Sequence, residues 1–220
     1  ESIYNGAGIV WYKASDQSSN YTKSDSAKYY KLNSPGSITM TNVNASLGEA
    51  SFALWIPEML DKEEISGFDS GYWANFGHTI NISGGSYKVS NESNTIVPKS
   101  RGIFCVGGDS VVIDGVEIEN DYNPGIYVFN NSEATIKGDT TVNITGTTEE
   151  AKSSSSKYTG GSYGVNAIAT SSNSTLNVES GTYTSKGYLA YIYSSGGQIN
   201  VTGNATFNQE TAGTPVLQFE

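Results

Sequence analysis

From His78 to Gly146 apolar and polar residues alternate in short phrases, each closed by Gly, Asn or Ser. One phrase is His78-Thr-Ile-Asn-Ile-Ser-Gly-Gly-Ser-Tyr-Lys-Val-Ser. Others are Arg101-Gly-Ile-Phe-Cys, Ser110-Val-Val-Ile-Asp-Gly-Val-Glu-Ile-Glu-Asn, Pro124-Gly-Ile-Tyr-Val-Phe and Ala134-Thr-Ile-Lys-Gly-Asp-Thr-Thr-Val-Asn-Ile-Thr-Gly. A period of two marks strands with one dry and one wet face, and the closing residues are those that turn a chain. The phrases recur in one order: a first strand, a Gly corner, a second strand, a variable connection, and a third strand opening with Gly.

Ile82, Ile113 and Ile136 hold equivalent places in the first strand, Val89, Ile118 and Ile144 in the second, and Ile103 and Ile126 in the third. The third-strand pair is about 23 residues apart, inside the window of roughly 20–50 residues that marks repeat architectures. Stacking such three-strand coils with their dry faces inward predicts an all-β chain, a right-handed parallel β-helix, the hand following the preference of parallel crossovers. Its expected interior is Ile82, Val89, Ile103, Ile113, Ile118, Ile126, Val128, Ile136, Ile144, Leu176, Val178, Ile199 and Val201. Gly84, Gly115, Gly138, Gly181 and Gly203 are the expected corners.

Taken in order, Gly8-Ile-Val-Trp-Tyr reads as a third strand, Ser15 to Ser26 as a polar loop, and Ser37 to Ala45 as the first two strands of a coil. Ser51-Phe-Ala-Leu-Trp-Ile then supplies a third strand. Two insertions interrupt the repeat. Residues 57–76 open on Pro57 and acids and pass Gly67, which predicts a short helix followed by an aromatic stretch. Residues 147–162 hold little apolar material and read as a surface loop. The repeat resumes at Tyr163 and runs to the end, giving about six coils in a single domain over 1–220. Strand-like sequence at both ends suggests a piece of something longer.

Net charge is −10, from 22 acidic and 12 basic residues, and Arg101 is the sole arginine. A surface that replaces phosphate counterions needs clustered Lys and Arg, so nucleic acid is not an expected partner. No run approaches a membrane span, so this segment is not expected to insert in a membrane. The single cysteine, Cys105, excludes an intrachain disulfide and reads as a small core residue.

Chemistry is weakly signalled. Glycoside hydrolysis needs two facing carboxylates, and Asp109, Asp114, Glu117, Glu119, Asp121 and Asp139 read instead as a solvated acidic face. His78 is the one histidine and has no Cys or second His with which to build a zinc site. No metal, no cofactor and no enzymatic activity are expected. Aromatic side chains anchor interfaces more often than others, which makes Trp55, Tyr72, Trp73 and Phe76 the candidate ligand-binding residues. The competing reading of the same rings is a cap over an open sheet edge.

Three phrases carry a family likeness: Gly125-Ile-Tyr-Val-Phe-Asn-Asn-Ser-Glu-Ala-Thr-Ile-Lys-Gly, Gly164-Val-Asn-Ala-Ile-Ala-Thr-Ser-Ser-Asn-Ser-Thr-Leu-Asn-Val and Gln198-Ile-Asn-Val-Thr-Gly-Asn-Ala-Thr-Phe. Over roughly residues 35–220 the pattern resembles the right-handed parallel β-helix passenger domains of bacterial autotransporters. That resemblance implies a non-enzymatic adhesin, displayed on the bacterial cell surface through an outer-membrane barrel of the parent protein. Its implied partners are a host-cell receptor protein or glycan, or another bacterial surface. A structural stalk and a polysaccharide-active enzyme, lyase or tailspike-like, are the alternatives.

Overall fold

In the computed structural model of the protein the described residues are 7–10, 18–26, 29–48, 52–56, 69, 72–90, 101–105, 109–120, 124–129, 131–146, 166–170, 173–192, 196–212 and 216–219. The helix expected from Pro57 and the loop expected over 147–162 lie outside them. Among the described residues twenty strands follow one another: β1 (Ala7–Val10), β2 (Tyr21–Ser24), β3 (Tyr29–Leu32), β4 (Ser37–Thr41), β5 (Asn44–Gly48), β6 (Phe52–Ile56), β7 (Trp73–Asn75), β8 (Thr79–Ser83), β9 (Ser86–Ser90) and β10 (Arg101–Cys105). Then come β11 (Ser110–Asp114), β12 (Glu117–Asn120), β13 (Ile126–Val128), β14 (Glu133–Lys137), β15 (Thr141–Ile144), β16 (Asn166–Thr170), β17 (Ser174–Ser185), β18 (Tyr188–Ile192), β19 (Gly197–Gln209) and β20 (Leu217–Phe219). The chain is all-β and its sheets are mostly parallel.

Each short strand pairs with the one that holds its place in the neighbouring triplet. β4, β8, β11, β14 and the first half of β17 form one parallel row, which β19 continues. Met40, Ile82, Ile113, Ile136, Val178 and Val201 stand in register along it. β5, β9, β12, β15 and the second half of β17 form a second row, also continued by β19, so the sheet bends through these two long strands. The third strands make a separate seven-stranded sheet, β1-β6-β10-β13-β16-β18-β20. In it Ile9, Leu54, Ile103, Ile126, Ile168, Ala190 and Leu217 align.

The dry faces of these rows meet in one core. Ile80, Ile82, Tyr87, Val89, Ile103, Val111, Ile113, Ile118, Ile126, Ile136, Ile144, Ile168, Leu176 and Val178 are all buried there. The second-strand register differs from the expected one. Ile118 stands beside Tyr87 and Val142, whereas Val89 faces Asn120, which in turn faces Ile144. The difference is two residues, so every side chain keeps its inward face, and the buried Asn120 fills the place where an apolar residue was expected. The interior expectation fails at the last row. Ile199 is only partly buried and Val201 is 51% exposed, because among the described residues β19 pairs with β17 alone and nothing covers its far side.

Glycine has two separate uses. Asn42, Gly84, Gly115 and Gly138 follow the first strands at φ of 53°, 61°, 62° and 64°, a left-handed corner that Gly and Asn tolerate. Gly102 and Gly125, which open third strands, are there for space. A Cβ on Gly102 would stand 2.4 Å from Ile118 Cγ2 and 2.6 Å from the Gly125 carbonyl oxygen, and one on Gly125 would stand 2.3 Å from Val142 Cγ1. The second strand fills that corner, so the third must start without a side chain. Gly181 and Gly203, also expected as corners, lie where β17 and β19 pass from the first row to the second, Gly181 at a φ of 110°.

The N-terminal region holds a second body of structure. β2 and β3 form an antiparallel hairpin that starts at Tyr21 opposite Leu32, and β7 joins β3 in parallel. The polar loop expected over Ser15 to Ser26 therefore contains a strand: Tyr21 is buried and supplies the apolar contact that the rest of the stretch lacks.

Candidate functional site

Three of the four candidate aromatics sit on or beside β7. Tyr72 precedes the strand, Trp73 begins it and Phe76 follows it. Their sheet encloses a small core of Tyr21, Tyr30, Leu32 and Phe76, with Tyr72 packed against it. Phe76 is 0% exposed, which corrects the expectation that it meets a ligand: it has no surface to offer, and its work is packing. Its ring stacks on His78, centroids 5.7 Å apart, tying the small sheet to the first strand row.

Tyr72 is half-buried and held on several sides. Its ring tilts against Tyr30 at 5.3 Å, the Lys23 ammonium lies 4.8 Å from its centroid, and its hydroxyl donates to Asp25. Lys23 also reaches Asp25 at 2.8 Å and Asp69 at 2.7 Å. The Asp69 backbone N–H donates to the Tyr30 hydroxyl at 3.3 Å, and the Tyr72 N–H to the Asp69 carbonyl at 3.3 Å. Hydrogen bonds to Asp25 and Asp69 hold the lysine above its usual range, and the bond from Lys23 holds Asp69 below the ordinary carboxylate range. A lysine held as a cation beside an Asp69 carboxylate held as an anion has no proton to exchange near neutrality. The arrangement can orient rings and charges for recognition, but it is not an acid–base pair.

Trp55 belongs elsewhere. It lies in β6 of the seven-stranded sheet, between Val10 of β1 and Phe104 of β10, with Tyr127 one strand further. The structure thus brings Tyr72, Trp73 and Phe76 together and leaves Trp55 on another sheet. The side chains of Trp55, Trp73, Arg101 and Cys105 lie outside the described residues.

The expected acidic face divides. Glu117 is paired with Lys88 at 2.8 Å, and Asp114 with Lys137 at 3.5 Å. Asp139 is exposed, and Asp121 lies outside the described residues. Among the described residues no group of three His, Cys, Asp or Glu could hold a metal. Asp109 departs from the acidic face altogether: it is 1% exposed.

Asp109 belongs to a polar ladder at the corner that leads into the first-strand row. The Gly36 N–H donates to His78 Nδ1 at 2.8 Å, and the His78 N–H to Asp109 Oδ1 at 2.8 Å. The Asp109 N–H donates to Ser132 Oγ at 3.3 Å and the Ser132 N–H to Ser174 Oγ at 3.2 Å. Each backbone donor at the corner is thus satisfied by the side chain of the corresponding residue one strand on, as a buried N–H requires. Burial pushes the Asp109 carboxyl up to about 7, with the His78 N–H bond pulling the other way. Aligning the phrases would have shown His78, Asp109 and Ser132 at one position, directly before each first strand. Lys23, Asp25 and Asp69 carried no such mark, since their meeting depends on how the small sheet folds.

Comparison with known proteins finds no matching family model, no matching curated relative and no matching solved structure.

Proposed function

We propose that the chain is a segment of a right-handed parallel β-helix that serves as a non-enzymatic recognition module on a bacterial surface. In this reading it belongs to a passenger domain of the autotransporter type and attaches to a host-cell receptor or glycan, or to another bacterium. The observation that carries it is the alignment of three strand rows in parallel register over successive triplets. Such stacking builds a long, stiff body whose outer positions are free for contact. Along the outer face of the first row stand Thr39, Asn81, Val112, Thr135, Asn177 and Asn200. Asn200 donates to Asn177 at 2.8 Å, and Asn177 to Glu133 at 3.0 Å. A polar face of this kind, with its amides pre-arranged, suits hydroxyl-rich or peptide ligands.

Within that reading, contact centres on the small sheet, through Tyr72 and Trp73. The burial of Phe76 favours a second reading of the same sheet as a cap that only closes an edge. Binding of the purified chain to host cells and to a glycan panel separates the two, with Tyr72→Ala and Trp73→Ala variants checked by thermal melts. Binding lost at least tenfold by Trp73→Ala with an unchanged melt supports recognition. Binding retained while the melt drops refutes this surface as the contact and leaves the cap.

A further inference from the structure

Among the described residues, the corner ladder holds one carboxyl group that no cation accompanies. Asp109 Oδ1 accepts the His78 N–H, while Oδ2 is buried with no hydrogen-bond partner. The other members of the ladder do their work uncharged: Ser132 and Ser174 accept a backbone N–H through a hydroxyl. His78 accepts at Nδ1, so that nitrogen carries no proton in this state. An ionised carboxylate in the same place has one bond where it could accept several, at a site buried from solvent.

We propose that Asp109 is a proton-operated latch: neutral, it fits the buried corner between His78 and Ser132, and on losing its proton it leaves there a charge with a single hydrogen bond, a cost relieved by loosening the stacking of β11 on β8. The loosening reaches the small aromatic sheet, because His78 both donates to Asp109 and stacks on Phe76. Among the described residues two groups of the ladder face Asp109. From the leading end of β8 comes His78, and from that of β14 comes Ser132, which does not titrate. Glu133 follows Ser132 on the exposed outer face. No Lys or Arg among the described residues is ion-paired with Asp109. His78 acts in the opposite sense: a proton on Nδ1 would break its bond from Gly36 as the pH falls, so the two effects are separable by direction.

The sign follows from where the carboxyl titrates in each state. Folded, it titrates at about 7 against 3.8 for a free one, so the folded state holds the proton longer than the unfolded state. Stability from the neutral form is complete below the free value and is lost as pH rises between the two. Above about 7 the loss is constant. The folding equilibrium changes by about one decade for each pH step between those two midpoints, so the change across the window is on the order of a thousandfold.

Thermal and urea unfolding of the whole chain from pH 4.5 to 8.5 tests this against Asp109→Ser and Asp109→Asn. Serine fills the same position in two other triplets and keeps an acceptor for His78; asparagine keeps the shape. The expected result is a stability that falls with pH in the wild type relative to both variants, the difference levelling near pH 7–8. Carbon-13 NMR of the Asp109 carboxyl should show a midpoint far above the ordinary range. A wild-type profile parallel to both variants overturns the latch, and so does an Asp109 midpoint near 4. If both variants fail to fold, the NMR midpoint alone decides.

Discussion

Truncating one position along the first-strand row tests the fold in quantitative terms. Ile113 is fully buried between Ile82 and Ile136, which stand in register with it. Backbone hydrogen bonds hold neighbouring strands about 4.8 Å apart, so the space left by Ile113→Ala cannot close by collapse. The cost should fall in the upper part of the usual range, about 3–5 kcal/mol. Val178 is equally buried, and Val178→Ala should cost about 2–3 kcal/mol. At the end of the row Val201 is 51% exposed, and Val201→Ala should cost less than about 1 kcal/mol. Urea unfolding followed by circular dichroism measures all three, with an unchanged m-value as the sign that the same surface is exposed. For a chain of this size the Ile113 variant should melt roughly 10 °C lower. A Val201 cost equal to that of Ile113 would mean that the row continues beyond β19. An Ile113 cost under about 1 kcal/mol would refute the buried register itself.

Gly115→Ala should destabilise by about 1–2 kcal/mol through its left-handed φ alone, since a Cβ there meets nothing within 4 Å; Gly115→Asn should cost less, because Asn42 already occupies the equivalent corner. An asparagine variant as unstable as the alanine one in urea melts would count against that equivalence. Gly125→Ala, by contrast, places a Cβ 2.3 Å from Val142 and 3.0 Å from the Ala167 carbonyl oxygen, and overpacking of about 1–3 kcal/mol is expected; a neutral melt would show the corner to be roomier. Tyr72→Phe removes the hydroxyl bond to Asp25 and keeps the ring beneath Lys23, so a loss of about 0.5–1.5 kcal/mol is expected, largely independent of the core. A much larger loss on urea unfolding would make that hydroxyl a structural centre of the small sheet.

What could be read from the chain was whatever repeats. Alternation at Ile80 and Ile82, or at Val111 and Ile113, assigns each strand a face whatever its partner, and the burial of these residues follows directly. The Gly before Ile103 and Ile126 was visible as a pattern, although its cause, the filling of the corner by Ile118 and Val142, needed coordinates. Register was harder. A strand that slips by two residues keeps its inward face, so no pattern of apolar positions separates Val89 beside Ile118 from Val89 beside Asn120.

The candidate site was legible only in part, for a related reason. Tyr72, Trp73 and Phe76 announce themselves as aromatics, but composition does not distinguish a ring that waits for a ligand from one that closes a core, and Phe76 proves to be the latter. Asp109 misleads in the opposite direction. Five acidic neighbours in sequence suggest a wet face, yet Asp109 stands directly before a first strand, where the backbone turns inward and its N–H groups need acceptors. The same demand is met by His78, Ser132 and Ser174. Position in the triplet, rather than residue type, decides whether a polar side chain in this chain faces water or the stack. It follows that an acid at that position is held in the stack, as Asp109 is, whereas an acid one residue further along, as Glu133 is after Ser132, stands on the outer face.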